Sequence, residues 1–247
     1  HYTIADPKTF GISEYEPVLP IYHSDQPEDS KEHCSDLLHR LDRIDPDRLS
    51  PENAYTYRLL HRSLENDLAL ADFPYYNEPL SPSSGMQSQL PVLLAEYTFR
   101  TKRDVTDYLA LLDQIDDYFS SLLLYEQEKA AAGFFMPACS SEKVRKQCDT
   151  IVTTEELAQG THFLQTTFED RLSELQKQGL FTPKETASLI ETNDRLLATV
   201  VQPAYAALSE GLHSLETSTN ADSTASETTA NAASGKNNSV HNGLPKG

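Results

Sequence analysis

The side chains best suited to contacting a ligand are concentrated in one irregular stretch, which runs from Tyr75 to Leu90. Proline, glycine and serine break regular structure there, and polar and aromatic residues lie between these breakers. A loop that only joins two helices does not need so many hydrogen-bonding groups, so this composition favours the lining of a groove. The residues that we expect to contact a substrate are Tyr75, Tyr76, Asn77, Gln87 and Gln89. We predict no catalytic residue among them.

Histidines and carboxylates elsewhere in the chain do not have the spacing of a metal site. His33 and His39 lie on one predicted helix, but the gap of six residues turns them about 240° apart, so they cannot share a metal. His61 and Glu65 lie one helical turn apart and could supply two ligands. Two ligands are too few, so a surface or core pair is the favoured interpretation. We therefore predict no metal ligands in this chain.

The sequence contains no motif that names a reaction. It has no His-Glu-x-x-His, no phosphate-binding loop, no dinucleotide fingerprint and no Gly-x-Ser-x-Gly. Asp113, Asp116 and Asp117 form an acidic cluster, but calcium needs roughly six or more oxygen ligands on a turning loop. A solvated helix face is therefore the favoured interpretation of this cluster.

The charge and hydropathy of the chain exclude some classes of partner. Its 247 residues carry 38 Asp and Glu against 20 Lys and Arg, which gives a net charge of −18. Such a surface repels phosphate backbones, so we predict no nucleic-acid partner. No apolar run approaches the roughly 20 residues that cross a bilayer, so we predict no transmembrane segment.

The three cysteines, Cys34, Cys139 and Cys148, include no Cys-x-x-Cys pair. This argues against both a disulfide framework and a thiolate zinc site. We expect three mostly buried, small apolar side chains. A bridge between Cys139 and Cys148 stays open as an alternative.

Apolar residues recur every three or four positions along most of the chain, which is the spacing of amphipathic helices. No stretch shows sustained alternation of apolar and polar residues. The predicted fold is all-α. We expect an irregular array of about seven to nine amphipathic helices, with helical hairpins, one long helix and no significant sheet.

Capping residues mark where helices begin. Ser50 precedes a proline and a glutamate, while Thr101 and Thr182 are each followed three residues later by an acidic residue, as in a capping box. The helix that follows Thr101 is predicted to reach Ala132, with a break near Ser120-Ser121. In the last helix, Pro203 is predicted to produce a kink or a division, because it lacks a backbone N–H.

Composition divides the chain into three parts. Residues 1–216 carry the helical pattern, whereas residues 217–242 are rich in Ser, Thr, Ala and Asn. The second part cannot bury enough apolar surface to offset its ordering entropy, so we predict a flexible loop. Residues 243–247 are typical of the start of another ordered segment. Because residue 1 is His, we also expect that the chain starts inside a longer precursor.

Residues 76–97 read Tyr-Asn-Glu-Pro-Leu-Ser-Pro-Ser-Ser-Gly-Met-Gln-Ser-Gln-Leu-Pro-Val-Leu-Leu-Ala-Glu-Tyr. Together with other ordered positions, this stretch resembles the bacterial family catalogued as domain of unknown function 885. The other positions lie in residues 1–7, 104–112, 118–119, 128–136 and 203–212. The resemblance extends over nearly the whole chain, but residues 217–242 depart from the family pattern as an insertion.

The resemblance implies a longer, predominantly helical protein that looks like a metallopeptidase. Family members carry a His-Glu-x-x-His zinc motif in the C-terminal half, where two histidines hold the metal and the glutamate acts as general base on the bound water. This motif is absent from the present chain. We therefore expect no cofactor in this chain and zinc in the full-length protein.

The function that the resemblance implies is that of the N-terminal helical part of a zinc-dependent, peptidase-like hydrolase. This part would form a wall of the substrate cleft and would not be catalytic alone. Its partners would be its own C-terminal half and a peptide-like substrate. Two alternatives stay open: an extracytoplasmic helical binding or scaffold module without catalysis, and a helical interaction domain that pairs with another chain.

The resemblance also implies a location outside the cytoplasm. Family members look like lipoproteins, so we expect an extracytoplasmic protein, lipid-anchored through a missing N-terminus. A cytoplasmic location is the alternative.

Overall fold

The computed structural model describes residues 15–22 and 26–234, excepting the side chains of residues 26–30, 74 and 219–234. Its helices, numbered in chain order, are α1 Gln26–Leu41, α2 Pro51–Leu70, α3 Met86–Ala95, α4 Lys102–Asp113, α5 Ile115–Ala131, α6 Ala138–Ile151, α7 Thr154–Gln159, α8 Phe163–Lys177, α9 Pro183–Leu196 and α10 Gln202–Ser234. Short 3-10 turns occupy Pro46–Arg48 and Pro74–Tyr76, and a π turn occupies Leu197–Val201. No strand occurs in this part of the chain. The all-α prediction is confirmed.

The helix starts lie where the capping residues predict them. The Ser50 hydroxyl accepts a hydrogen bond from the backbone N–H of Asn53 at the start of α2. Thr101 and Thr182 both form complete capping boxes, each with an acidic residue at the third helical position. These local signals are independent of tertiary packing, which explains why the sequence alone locates them.

The long helix predicted from Thr101 to Ala132 is divided, but the break lies at Gln114 and not near Ser120-Ser121. The Gln114 side-chain amide donates to the carbonyl of Ala110 (2.9 Å), the group that the Gln114 backbone N–H would bond in a continuous helix. The same amide donates to the carbonyl of Pro17 (2.8 Å), and its oxygen accepts from the N–H of Leu19 (3.0 Å). At this break, the Gln114 side chain therefore holds the extended segment 15–22 in place.

The irregularity predicted at Pro203 takes the form of the π turn that joins α9 to α10. A π turn shifts the pairing of backbone donors and acceptors by one residue, and it ends two residues before the proline, which has no donor to contribute. After it, α10 continues to Ser234, so the backbone is helical in most of the segment 217–242 that we expected to be a loop. Extending an existing helix avoids the unfavourable nucleation step. The rest of that segment lies outside the described residues.

The core lies where α4, α5, α8 and the π turn to α10 meet. Its largest fully buried side chains are aromatic: Tyr108, Tyr118, Phe119, Phe168 and Tyr205. α10 packs against α5 and α6, and α3 packs against α6 and α8. α2 contacts α1 and buries none of its own residues. The helices therefore form one packed body together with a more exposed α1–α2 hairpin.

Within the described ranges, no helix combines the length and hydropathy needed to cross a bilayer.

Candidate functional site

The predicted substrate loop is shorter than its sequence indicates, because α3 already begins at Met86. The preceding residues form a closed turn, in which the N–H of Met86 donates to the carbonyl of Pro79 (2.8 Å) and the N–H of Gly85 donates to the carbonyl of Ser81 (3.0 Å). Gln87 and Gln89 are consequently helical residues. Gln89 is exposed, whereas Gln87 is completely buried.

The Gln87 side chain holds this turn against the helical body. Its amide donates to the carbonyl of Ser81 (2.7 Å) and to the side-chain oxygen of Gln147 on α6 (2.8 Å). Gln147 in turn donates to the carbonyl of Pro82 (2.9 Å), and the hydroxyl of Tyr205 donates to the carbonyl of Gln87 (2.7 Å). Gln87 therefore stabilises the turn and is not placed to meet a ligand.

We expect Gly85→Ala to lower the free energy of unfolding by about 1–3 kcal/mol, because the site is too crowded for a methyl group. A Cβ at Gly85 would lie 2.3 Å from the backbone nitrogen of Ser81 and 2.1 Å from the side-chain oxygen of Gln87. Denaturant titration measures the loss, with Ser84→Ala in the same turn as the control, since Ser84 is exposed. Equal stability of the two variants would contradict a rigid turn.

The segment 75–78 lies against α5 and is fixed by two side chains from that helix. The hydroxyl of Tyr125 donates to the carbonyl of Asn77 (3.0 Å), and the ammonium of Lys129 donates to the same carbonyl (3.4 Å). Burial, aided by the charges of Glu126 and Glu78, raises the pKa of Tyr125 well above its usual range, so its hydroxyl stays a donor. The backbone of this segment is therefore held on a rigid support.

An exposed group of rings, which we name the aromatic patch, covers this support. It consists of Phe73, Tyr75, Tyr76 and Phe134. Tyr76 is 75% exposed, Phe73 54% and Phe134 49%. Tyr75 stacks on Phe134 with ring centroids 6.0 Å apart, and Phe73 meets Tyr76 edge-on at 5.4 Å. Rings held in the solvent by a fixed backbone are typical of a binding surface.

A group of charged side chains adjoins Asn77, and we name it the charge triad: Glu78, Glu126 and Lys129. The Lys129 ammonium is 2.6 Å from Oε2 of Glu78 and 3.8 Å from Oε2 of Glu126. Glu126 is completely buried, Lys129 is 3% exposed, and the side chain of Glu78 is 37% exposed. The triad thus extends from the interior to the surface beside Asn77.

Glu126 is the strongly perturbed member of the triad. Burial raises its pKa to about 7, and the negative charge of Glu78 adds to this effect, while the positive charge of Lys129 opposes it. Neither carboxylate oxygen of Glu126 has a hydrogen-bond partner among the described residues. A buried carboxylate in this state can take up a proton near neutral pH.

Of the predicted substrate residues, Tyr75, Tyr76 and Asn77 belong to the segment that packs on α5. Gln87 and Gln89 lie on α3, which packs on α6 and α8. Glu126 and Lys129 were not among the site residues predicted from the sequence. A signal for Glu126 was available, since it lies four residues after Leu122 and seven after Phe119, on the apolar side of the helix. An acidic residue at such a position is a candidate for a buried functional charge.

The described residues do not fit a zinc centre, because no group of three or more His, Cys, Asp or Glu side chains is placed to hold a metal ion. His61 forms a surface pair with Asp42 (3.2 Å) and Glu65 (3.5 Å), as the spacing indicated.

The cysteines are free thiols, so the bridge between Cys139 and Cys148 is not formed. Cys148 is buried and Cys34 is half-buried, but Cys139 is exposed, so the expectation of burial is wrong for Cys139. Cys139 lies in the first turn of α6, on the side away from the core.

Comparisons with known proteins identify relatives of the chain without an assigned activity. A family sequence model described as "Bacterial protein of unknown function (DUF885)" matches residues 8–238. No curated protein matches. A solved structure with a similar fold, "The crystal structure of the putative lipoprotein from Colwellia psychrerythraea", aligns with a TM-score of 0.62 and 16% identity over 81% of this chain. The alignment covers 35% of that protein, so the present chain spans about a third of its length. At this identity the likeness shows the fold alone.

Proposed function

Since the chain belongs to the bacterial family of unknown function DUF885, we propose that it is the N-terminal helical part of a larger, zinc-dependent, peptidase-like hydrolase. In this role it forms a wall of the substrate cleft and binds a peptide-like substrate, but is not catalytic alone. The alignment covers 35% of the solved chain from Colwellia psychrerythraea, which supports a role as part of a larger protein.

The observation that carries the proposal is the aromatic patch. Three of its rings are exposed and the fourth, Tyr75, is half-buried. The backbone next to Tyr75 and Tyr76 is fixed by Tyr125 and Lys129, which donate to the carbonyl of Asn77. A preorganised surface binds more tightly than a mobile one, because less conformational entropy is lost on binding. Aromatic faces and the adjacent exposed Asn77 amide provide the apolar area and the hydrogen-bonding groups that an extended peptide needs.

We expect zinc only in the longer protein of which this chain would be a part. The side chains in the described ranges do not fit it, and no step assigned to this chain goes through the metal. The contribution of this chain is to bind and orient the substrate, which lowers the entropic barrier of a reaction carried out by other residues.

We expect Tyr76→Ala to weaken the binding of the tripeptide Ala-Phe-Ala to the 247-residue chain by about three- to tenfold. Tyr76 is the most exposed ring of the aromatic patch, and stacking on the phenylalanine of the peptide would be lost. Ligand-observed NMR titration measures the affinity. The matched control is Tyr55→Ala, which removes a ring that is 58% exposed on α2. Absence of peptide binding, or equal losses in both variants, would overturn the proposal.

A second candidate is an extracytoplasmic binding or scaffold module without catalysis. The observation that favours it is the fold shared with a protein described as a lipoprotein, and a location outside the cytoplasm is part of this candidate. The two candidates are separated by assaying zinc content and Ala-Phe-Ala hydrolysis in the longest natural gene product that contains this chain. Peptide binding with about one zinc per chain and hydrolysis supports the first candidate; peptide binding without either supports the second.

A further inference from the structure

We propose that Glu78 binds a primary ammonium group of the peptide-like ligand, and that Lys129 moves from Glu78 to Glu126 when this group arrives. This inference rests on the proposed function, because it assigns a specific chemical group to the ligand that the aromatic patch would bind. It involves only the exchange of ion pairs, and no covalent bond is formed or broken.

The charges of the triad do not balance when all its members are ionised. With all members ionised, Glu78 and Glu126 carry two negative charges and Lys129 carries one positive charge. An uncompensated charge in a poorly solvated site is strongly unfavourable, so the triad gains stability when it takes up one positive charge. In the free protein near neutral pH a proton on Glu126 can supply it. A ligand ammonium would replace this proton, and the site would then contain two carboxylates and two ammonium groups.

Lys129 already has an alternative partner in Glu126. Both oxygens of Glu126 are buried without a hydrogen-bond partner in the described structure, and one of them lies 3.8 Å from the Lys129 ammonium. A displacement of the ammonium by about 1 Å would form a normal hydrogen bond. The four-carbon chain of lysine permits such a movement without a change in the backbone.

Glu78 is accessible to a ligand from the solvent. Its side chain is 37% exposed, and it follows the exposed residues Tyr76 and Asn77. The net charge of −18 attracts cations to the surface and repels anions. A cationic end of a ligand would therefore approach Glu78 more readily than a carboxylate would.

The groups around Glu78 suit an ammonium better than a metal ion. An ammonium donates three hydrogen bonds and binds well between carboxylates, carbonyls and aromatic faces. When Lys129 moves away, the carboxylate of Glu78 and one lone pair of the Asn77 carbonyl become available, while Tyr125 continues to donate to that carbonyl. One carboxylate and one carbonyl are too few oxygen ligands for calcium. The site therefore favours an ammonium over a metal ion.

The test compares Ala-Phe-Ala with acetyl-Ala-Phe-Ala, which lacks the N-terminal ammonium, at pH 7. We expect the free peptide to bind at least tenfold more tightly, since charge-assisted hydrogen bonds are among the strongest. In Glu78→Gln this ratio should fall to about one. The control Glu169→Gln removes the same charge from an exposed position on α8 and should preserve the ratio. A third probe, acetyl-Lys-Phe-Ala, determines whether a lysine side chain replaces the N-terminus as the source of the ammonium.

The movement of Lys129 has its own test. Glu126 is buried and does not reach the ligand, yet Glu126→Gln removes the carboxylate that Lys129 would move to. We therefore expect this variant to lower the ratio between the affinities for free and acetylated peptide by about tenfold. An unchanged ratio would contradict the movement of Lys129.

The outcomes separate this inference from the proposed function. Equal binding of the free and acetylated peptides, with both weakened by Tyr76→Ala, would overturn the ammonium site and leave the aromatic patch as a binding surface. Binding of neither peptide would overturn the proposed function itself.

Discussion

Lys129→Met is expected to lower the free energy of unfolding at pH 9 by about 3–5 kcal/mol, because Glu126 is ionised at that pH and the substitution removes its partner in a buried ion pair. Methionine retains most of the length of the lysine side chain, so the change is mainly in charge. Two carboxylates would then face each other without a cation, one of them completely buried. Denaturant titration, followed by circular dichroism at the helical band, measures the loss.

The chain offers a closely matched control for this experiment. Lys177 lies 2.6 Å from Glu174, the same distance as between Lys129 and Glu78, but both side chains are more than 60% exposed. Solvent screens such a pair, so Lys177→Met should change stability little. If Lys129→Met does not fold, the double variant with Glu126→Gln should recover part of the stability, since it removes the uncompensated buried charge. Equal effects of the two lysine substitutions would contradict the role assigned to burial.

Glu126→Gln is expected to change the dependence of stability on pH. The pKa of Glu126 is about 7 in the folded protein against 4.5 for an unperturbed glutamate, so the folded state binds a proton more tightly than the unfolded state. This contribution is fully present below pH 4.5 and is lost as the pH rises through 7. Its full value, below pH 4.5, is roughly 3 kcal/mol.

Glutamine is neutral at every pH and does not have this dependence. The free energy of unfolding of the variant minus that of the natural protein should therefore be roughly 3 kcal/mol larger at pH 8 than at pH 5. Measuring unfolding of both proteins at both pH values cancels the contributions of the other carboxylates. A difference that does not change with pH would mean that Glu126 is not protonated in the folded protein near neutrality.

The two experiments also bear on the binding surface. Asn77 accepts hydrogen bonds from Tyr125 and from Lys129, so the segment that carries Tyr75 and Tyr76 depends on the same helix as the charge triad. A loss of the Lys129 contact is therefore expected to loosen the aromatic patch as well as the interior.

Local sequence signals determined the class of the fold and the beginnings of its helices. The capping residues Ser50, Thr101 and Thr182 act on backbone groups within four residues, and the helical spacing of apolar residues defines which side of each helix is buried. Such interactions need no distant partner. For this reason the all-α architecture could be predicted before the arrangement of the helices was known.

Tertiary contacts determined which of the predicted residues face solvent. Gln87 and Asn77 looked equivalent in the sequence, but Gln147, 60 positions away, holds Gln87 in the interior, while α5 presents Asn77 at the surface. The break at Gln114 likewise depends on segment 15–22, which is distant in sequence. The raised pKa of Glu126 depends on burial and on Glu78, from another part of the chain. Burial and the electric field at a site are sums over neighbours that only the folded chain brings together, and no local pattern contains them.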